Sequence, residues 1–230
     1  PVPYYREVIR AAAFSESMRA FREMQFADWV QRHHLSGRKI IELGCGRGEY
    51  LALLQATGAQ VSGLEYANAA VRDCRARGLS VTRGYLSRRT QRLCGAPFDA
   101  FVALNFLEHW PDPVAGLRSM WHNLSPQGIG LVEVPNFDMI MRQGLFSEFI
   151  ADHLLYFTED TLRFTLHRSG FDVLGCRSVW HDYILSAEVR KRAPLGIDHL
   201  EQRRTAITDA LRAFIARFPA GQVAIWGAGH

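Results

Sequence analysis

Between Lys39 and Gly58 the chain passes from the apolar run Lys39-Ile40-Ile41-Glu42-Leu43, through Gly44-Cys45-Gly46-Arg47-Gly48, into Leu51, Leu53 and Leu54 at helical spacing. A short apolar run bounded by glycines reads as a buried strand, and the leucines beyond it as one face of a helix. Glycines at alternate positions allow the tight backbone turn between the two elements. They also remove side chains from a surface where a ligand can lie.

The same alternation continues downstream. Gln60 to Glu65, Leu79 to Arg83, Phe98 to Leu104 and Gly130 to Val134 read as further strands. Helices are predicted over 49–58, 67–77 and 112–124. Strand followed by helix, repeated in this way, predicts a parallel sheet with helices on both faces. Thr158 to Ser169 reads as another helix, with Glu159 and Asp160 in a first turn that favours negative charge. Asp172 to Val179 and Tyr183 to Val189 read as an antiparallel edge pair. The expected fold is therefore a doubly wound, Rossmann-like α/β sheet of seven strands, mostly parallel.

A helical extension is expected over 1–36, with Phe14, Met18, Phe21, Phe26 and Trp29 as buried positions and His33-His34 as structural residues at its end. The sheet domain is expected over 37–190. The segment from Pro135 to Tyr156 is irregular and aromatic, which suits a cover over a substrate. Residues 191–230 read as a long arginine-rich helix followed by Gln222 to Trp226, a short strand entering a glycine turn. We expect that strand to open a further nucleotide-fold-like domain, truncated here.

Hydrophobic residues make up 48% of the 230, enough for a core of this size, and 22% are charged, which argues against disorder. The net charge of +4 is carried almost wholly by arginine, with Lys39 and Lys191 the only lysines. The basic clusters lack the interleaved aromatics of a nucleic-acid surface, so no nucleic-acid partner is expected. Nor is a membrane partner, since no apolar run is long enough to span a bilayer. Cys45, Cys74, Cys94 and Cys176 form no C-x-x-C pair, so no metal is expected, and their scatter fits a reducing cytoplasm.

The chemistry-bearing residues fall at predicted strand ends, where such sheets bind ligands. Glu42 stands two positions before the first glycine, where its carboxylate suits a ligand carrying an ammonium and a sulfonium and would repel a pyrophosphate. Glycines 44, 46 and 48 also depart from the dinucleotide spacing G-x-G-x-x-G, which argues against a nicotinamide enzyme. Glu65 ends the next strand, where a carboxylate can accept both hydroxyls of a ribose.

From about Tyr4 to Val189 the chain resembles class I S-adenosylmethionine-dependent methyltransferases. The resemblance implies S-adenosylmethionine as cofactor and S-adenosylhomocysteine as product. It also implies cofactor contacts at Glu42, Gly44, Cys45, Gly46, Gly48, Glu65, Tyr66, Gly84, Tyr85, Leu86, Asn105 and Phe106. Asn105-Phe106-Leu107-Glu108-His109 resembles the segment that borders the methyl group. A narrower resemblance, to bacterial sugar C-methyltransferases, is carried by Phe14 to Arg19, by Asp152-His153-Leu154-Leu155-Tyr156-Phe157 and by the C-terminal Trp226-Gly-Ala-Gly229. Ile150-Ala151-Asp152-His153 stands where that group carries Tyr-x-Glu-His. This implies C-methylation of a keto-sugar nucleotide or a related biosynthetic intermediate.

Methyl transfer is an in-line displacement that asks mainly for alignment, with a base only where the acceptor must lose a proton. Histidine suits that role near neutral pH. His153 is the expected base, oriented by Asp152. His109 is expected to face cofactor and acceptor, and His181 is a further catalytic candidate. Trp110, Tyr156 and Phe157 are expected as core or pocket wall. O-methylation of a hydroxyl or carboxylate is the alternative, and a non-catalytic module keeping the cofactor fold is a second.

Overall fold

The structure, a computed structural model, describes residues 15–88, 90–194, 196, 198–224 and 227. Seven strands form one sheet: β1 (Lys39–Leu43), β2 (Gln60–Glu65), β3 (Val81–Arg83), β4 (Phe98–Leu104), β5 (Leu124–Pro135), β6 (Phe171–Val179) and β7 (Ile184–Lys191). Their order is β3-β2-β1-β4-β5-β7-β6. The first five run parallel, and β7 is antiparallel to both β5 and β6. The chain winds outward from β1 in one direction and from β4 in the other. That reversal leaves a crevice beyond the carboxyl ends of β1 and β4.

Helices α1 (Glu16–Arg32), α2 (Glu49–Ala56), α3 (Asn68–Ala76), α4 (Pro113–Asn123), α5 (Phe137–Gln143) and α6 (Glu159–Arg168) accompany the sheet. Neighbouring strand residues point to opposite faces, so a strand buried on both sides is apolar throughout. Ile41, Leu43, Phe101, Val132 and Val134 pack on Leu117 and Met120 of α4 and on Leu162 and Leu166 of α6. Ile40, Ala100, Val102, Leu104 and Leu131 pack instead with Phe26 and Trp29 of α1 and Leu54 of α2. Local signals set the helix starts. Asp112 accepts from Ala115 N at 2.9 Å with Pro113 opening α4, and Thr158 and Thr161 form a reciprocal cap on α6.

α1 is fastened by a buried polar cluster as well as by apolar packing. Arg22, 1% exposed, pairs with Glu133 of β5, which is fully buried. Gln25 Nε2 and Ser186 Oγ donate to the same carboxylate, and the guanidinium lies 5.0 Å from the Tyr50 ring centroid. At the helix end, Arg32 and His33 both engage Glu188 of β7, so His33 is structural as expected. Phe26 and Trp29 are buried and Met18 and Phe21 half-buried, while Phe14 lies outside the described residues.

Three expectations change. The cover is not irregular throughout: Asn136 caps α5 through Met139 N, and Met139 and Ile140 are buried along it. Two adjacent buried positions in so short a helix are too few to show a helical period in the sequence. β5 begins at Leu124 rather than near Gly130, because Leu124 already pairs with Phe98 across a register shift. Gln222, Val223 and Ala224 carry no strand, and Ile225, Trp226 and 228–230 lie outside the described residues. The described residues to Arg192 make one compact unit, and those from Ala193, with α7 (Asp198–Ile215), a second. Among the described residues no helix is long and apolar enough to cross a membrane.

Removing one partner of a buried ion pair leaves an uncompensated charge and costs about 3–5 kcal/mol, whereas replacing both by apolar residues is often neutral. Arg22→Met is therefore expected to lower unfolding free energy by about that amount in denaturant titrations. Arg22→Met with Glu133→Leu is expected to recover most of the loss.

Candidate active site

The glycine loop sits where β1 turns into α2. Gly44, Gly46 and Gly48 take φ of +67°, +54° and +82°, the left-handed region that side chains disfavour. Gly44 N and Cys45 N donate to Leu64 O at 2.8 and 3.3 Å, tying the loop to β2. The Glu65 carboxylate accepts from Gly46 N at 2.9 Å and from Ala67 N at 2.7 Å. One side chain thus braces the loop against the turn that leads into α3. A carboxylate oxygen has lone pairs for more than one donor, so these bonds leave capacity for ligand hydroxyls.

The turn requires glycine at all three positions, but at two of them the room left by the missing side chain is not offered to a ligand. A Cβ on Gly44 would fall 2.2 Å from the Phe106 ring, and one on Gly48 would fall 2.5 Å from Leu79 and 3.0 Å from the Cys74 sulfur. At both, the vacated space is filled by protein. Cys45 is turned into a cluster with Leu51, Val71 and Cys74, so its side chain is packing and only its backbone belongs to the loop. A hydrogen bond with Cys74 and burial push its thiol far above the ordinary range.

Glu42 is fully buried in β1, in register with Gly63 and Val102. Tyr66 is half-buried beneath the Arg83 guanidinium, 5.3 Å from its ring centroid. Gly84 N donates to Glu65 O at 2.9 Å, extending the β2–β3 pairing to the strand ends. Tyr85 is half-buried, and Leu86 belongs to the core, so a ligand could meet only its backbone. At the end of β4, Asn105 takes φ +48° and donates its N–H to Glu133 O at 2.9 Å. Its Oδ1 is enclosed and meets no donor among the described residues. Phe106 lies between Gly44 and Trp110, edge-on to the latter at 5.1 Å.

Beyond Phe106, a single 3₁₀ turn, Leu107–His109, meets the cover. Glu108 O accepts from Leu154 N at 2.9 Å and Leu155 N at 3.2 Å. The His109 and His153 rings are consequently edge to face, 4.9 Å apart. His109 Nδ1 donates to Asp152 O at 2.8 Å. Asp152 therefore orients His109 rather than His153, because the cover passes His109 with this peptide carbonyl turned toward the ring. Burial, then the neighbouring His109, hold the His153 imidazole below the usual histidine range, so its neutral form prevails near pH 7. His181 is not brought to this pair. It is exposed in the β6–β7 turn against Trp180, at 5.1 Å.

That turn is a further feature of the site's frame. Trp180, His181 and Asp182 all take positive φ, +50°, +58° and +67°. Such backbone persists only where the surroundings over-determine it. Here Asn136 Nδ2 donates to Asp182 O at 2.8 Å, Arg142 pairs with the Asp182 carboxylate, and Asn136 N donates to Tyr183 O at 2.8 Å. Tyr183 donates to Glu148 in the cover. Trp110 and Phe157 are core, and Tyr156 lies among Phe137, Phe149 and His153. Sequence reasoning passed over Glu108, which is 1% exposed beside both imidazoles. An acid directly before a candidate histidine was the available signal.

A crevice at the switch point of a parallel sheet, with a glycine loop on one strand and an acid at the end of the next, defines a nucleoside-binding α/β enzyme. The chain belongs to the family described as methyltransferase domain, whose profile matches residues 18–175. It is a class I S-adenosylmethionine-dependent methyltransferase domain. A ubiquinone biosynthesis O-methyltransferase of Xylella fastidiosa (strain 9a5c) is 33% identical over 103 residues, 43% of this chain and 42% of that protein. A counterpart in Paraburkholderia phymatum (strain DSM 17167 / CIP 108236 / LMG 21445 / STM815) is 29% identical over 146 residues, 59% of this chain and 62% of that protein. The matched stretch thus spans less than two thirds of these relatives. In fold, the chain is similar to the magnesium protoporphyrin IX methyltransferase of Synechocystis PCC 6803, solved with S-adenosylhomocysteine. The TM-score is 0.58 at 17% identity, covering 81% of this chain and 92% of that one.

Hydrogen bonds to a charged group contribute about 1.5–3 kcal/mol each. Glu65→Ala is expected to release the loop and to weaken S-adenosylhomocysteine binding by at least about tenfold in calorimetry. Unchanged affinity would remove Glu65 from the cofactor site.

Proposed function

We propose that this domain transfers the methyl group of S-adenosylmethionine to a hydroxyl oxygen of a small acceptor held between Phe106, His109 and His153. The observation that carries the reading is the imidazole pair, assembled by the cover at the rim of the crevice. The names of the curated relatives favour oxygen over the carbon acceptor that the narrower sequence resemblance implied. A keto-sugar acceptor remains the second reading, on the sequence of the cover and the C-terminal segment alone.

The residues present fit the cofactor. Glu65, held by two backbone donors, would accept the ribose hydroxyls. The Asn105 Oδ1, enclosed without a donor among the described residues, would accept from the ammonium group. Glu42, buried at the base of the loop, would add negative charge toward the same cationic end. Gly46 and the Cys45 backbone would border the ligand, with Tyr66, Gly84, Tyr85 and the Leu86 backbone around the adenine. The bound cofactor supplies an electrophilic methyl group on a cationic sulfur.

What remains for the protein is alignment, exclusion of water and loss of the acceptor proton. Phe106, backed by Trp110 and lodged against Gly44, presents a rigid apolar wall that would keep water from the methyl group. Tyr156 and Phe149 would close the acceptor side. His109 and His153 would meet the hydroxyl and assist its ionisation, His109 with its ring fixed by Asp152. Hydroxyls are poor nucleophiles while protonated, so this assistance contributes on the order of 10²–10⁴ in rate.

Incubating the protein with labelled S-adenosylmethionine and a panel of phenols, alcohols, carboxylic acids and keto-sugar nucleotides tests the reading. Label is expected in an ether. His153→Ala is expected to lower kcat at least about 100-fold with S-adenosylhomocysteine affinity within about twofold of the parent. Label appearing only on carbon would overturn the oxygen assignment, and no turnover with any class would leave a binding module.

A further inference from the structure

We propose that Glu108, His109 and His153 form a binding site for one divalent cation of the Zn²⁺ or Mn²⁺ type, which holds the oxygen of the acceptor. This deepens the reading above and rests on it for the identity of the acceptor atom. Each of the three residues offers a ligand atom, and all of these atoms lie within 4.8 Å of one another. Two imidazoles and one carboxylate on one side of a cation, with the remaining positions open, are a recurrent catalytic donor set for such metals. Metal–ligand bonds near 2.1 Å place neighbouring ligand atoms roughly 3 to 3.4 Å apart, so the set closes with side-chain movements of about 1 Å.

A second observation points the same way. The carbonyl oxygen of Asp152 can only accept, so the 2.8 Å contact requires the proton of His109 on Nδ1. Its lone pair is then on Nε2, the atom 3.9 Å from Glu108 Oε1. A ligating histidine that donates its other ring N–H to a backbone carbonyl or carboxylate is the usual outer-shell arrangement of metal sites. The Asp152 carboxylate, 3.9 Å from His109 Nδ1, adds negative charge behind the ring. Glu108 itself is 1% exposed, so a cation held by its carboxylate would be shielded from water on that side. Cysteine spacing gave no sign of this site because its ligands are oxygen and nitrogen, and because they come from segments that only the cover brings together.

An acceptor hydroxyl that ligates the cation gives its proton to solvent, and the oxygen then attacks the methyl carbon. The O–C bond forms as the C–S bond breaks, with the electron pair left on sulfur, so the products are a methyl ether, S-adenosylhomocysteine and one proton. With the cation bound, His109 and His153 assist that ionisation as its ligands rather than by taking the proton themselves. An acceptor with a second oxygen next to the first, such as a vicinal diol or a hydroxy-carbonyl, would occupy two open positions and be preferred over a lone hydroxyl.

The test uses the intact chain, free of added histidines and dialysed against a chelator. Calorimetric titration with ZnCl₂, and separately with MnCl₂, is expected to show one equivalent bound. His153→Ala and Glu108→Gln are each expected to weaken that binding at least about tenfold, with S-adenosylhomocysteine affinity and melting temperature unchanged for His153→Ala. Chelation is expected to abolish transfer to hydroxyls, and added metal to restore it. Absence of stoichiometric binding to the parent chain, or binding unaltered in His153→Ala, would overturn the site. Transfer to hydroxyls that persists after chelation would also overturn it while leaving the oxygen acceptor standing. One bound cation without transfer to any hydroxyl would instead keep the metal site and sink the acceptor reading.

Discussion

Everything at the working edge of the sheet depends on a backbone that must turn left-handed three times between β1 and α2. That path is stable only because its donors are met. Leu64 O holds the first two amides, and the Glu65 carboxylate holds a third while also capping the approach to α3. The loop is therefore anchored to the parallel sheet that carries it. An anchored loop matters for alkyl transfer, where the rate is set largely by how well the reacting atoms are aligned. Phe106 extends the same anchoring outward, because its ring occupies the place that a side chain at Gly44 would need.

Much of this architecture was legible in the sequence. Strand and helix periods alternate cleanly from Lys39 to Val134, and the apolar runs of β1 and β4 are short enough to be strands and too uniform to be half-exposed. The glycine spacing and the acid at the end of β2 marked the crevice. What could not be read were relations between distant residues. Nothing local in the sequence marks Arg22 on α1 as buried, yet it packs against Glu133, 111 residues away. Asp152 is adjacent to His153 in sequence but serves His109, because chain direction in the cover, and not proximity along it, decides which ring a carbonyl meets. Gly44 and Gly48 announced a turn correctly but concealed that Phe106, Leu79 and Cys74 take up the space they leave.

The histidine pair illustrates how an ordinary fold acquires particular chemistry. His109 belongs to the end of β4 and His153 to an excursion that leaves the sheet after β5. Neither could act with the other until Leu154 N and Leu155 N docked on the Glu108 carbonyl. The left-handed run at Trp180 to Asp182 is tied to the first part of the cover through Asn136, Arg142 and the Tyr183–Glu148 bond. Conformational strain in the β6–β7 turn is thereby exchanged for a fixed start to the cover.

Asn136 and Phe157 face each other across an isolated parallel bridge, with Phe137 N donating to Phe157 O at 3.0 Å. The cover therefore leaves the scaffold and rejoins it at a single point. In topological terms, residues 137–156 are an insertion whose two ends are already clamped together. Their exposed positions can drift with little consequence for how the remaining chain folds, whereas Met139, Ile140 and Arg142 are tied into the scaffold. A lineage of such proteins could thus explore new acceptors by rewriting one closed detour, with the nucleoside pocket untouched.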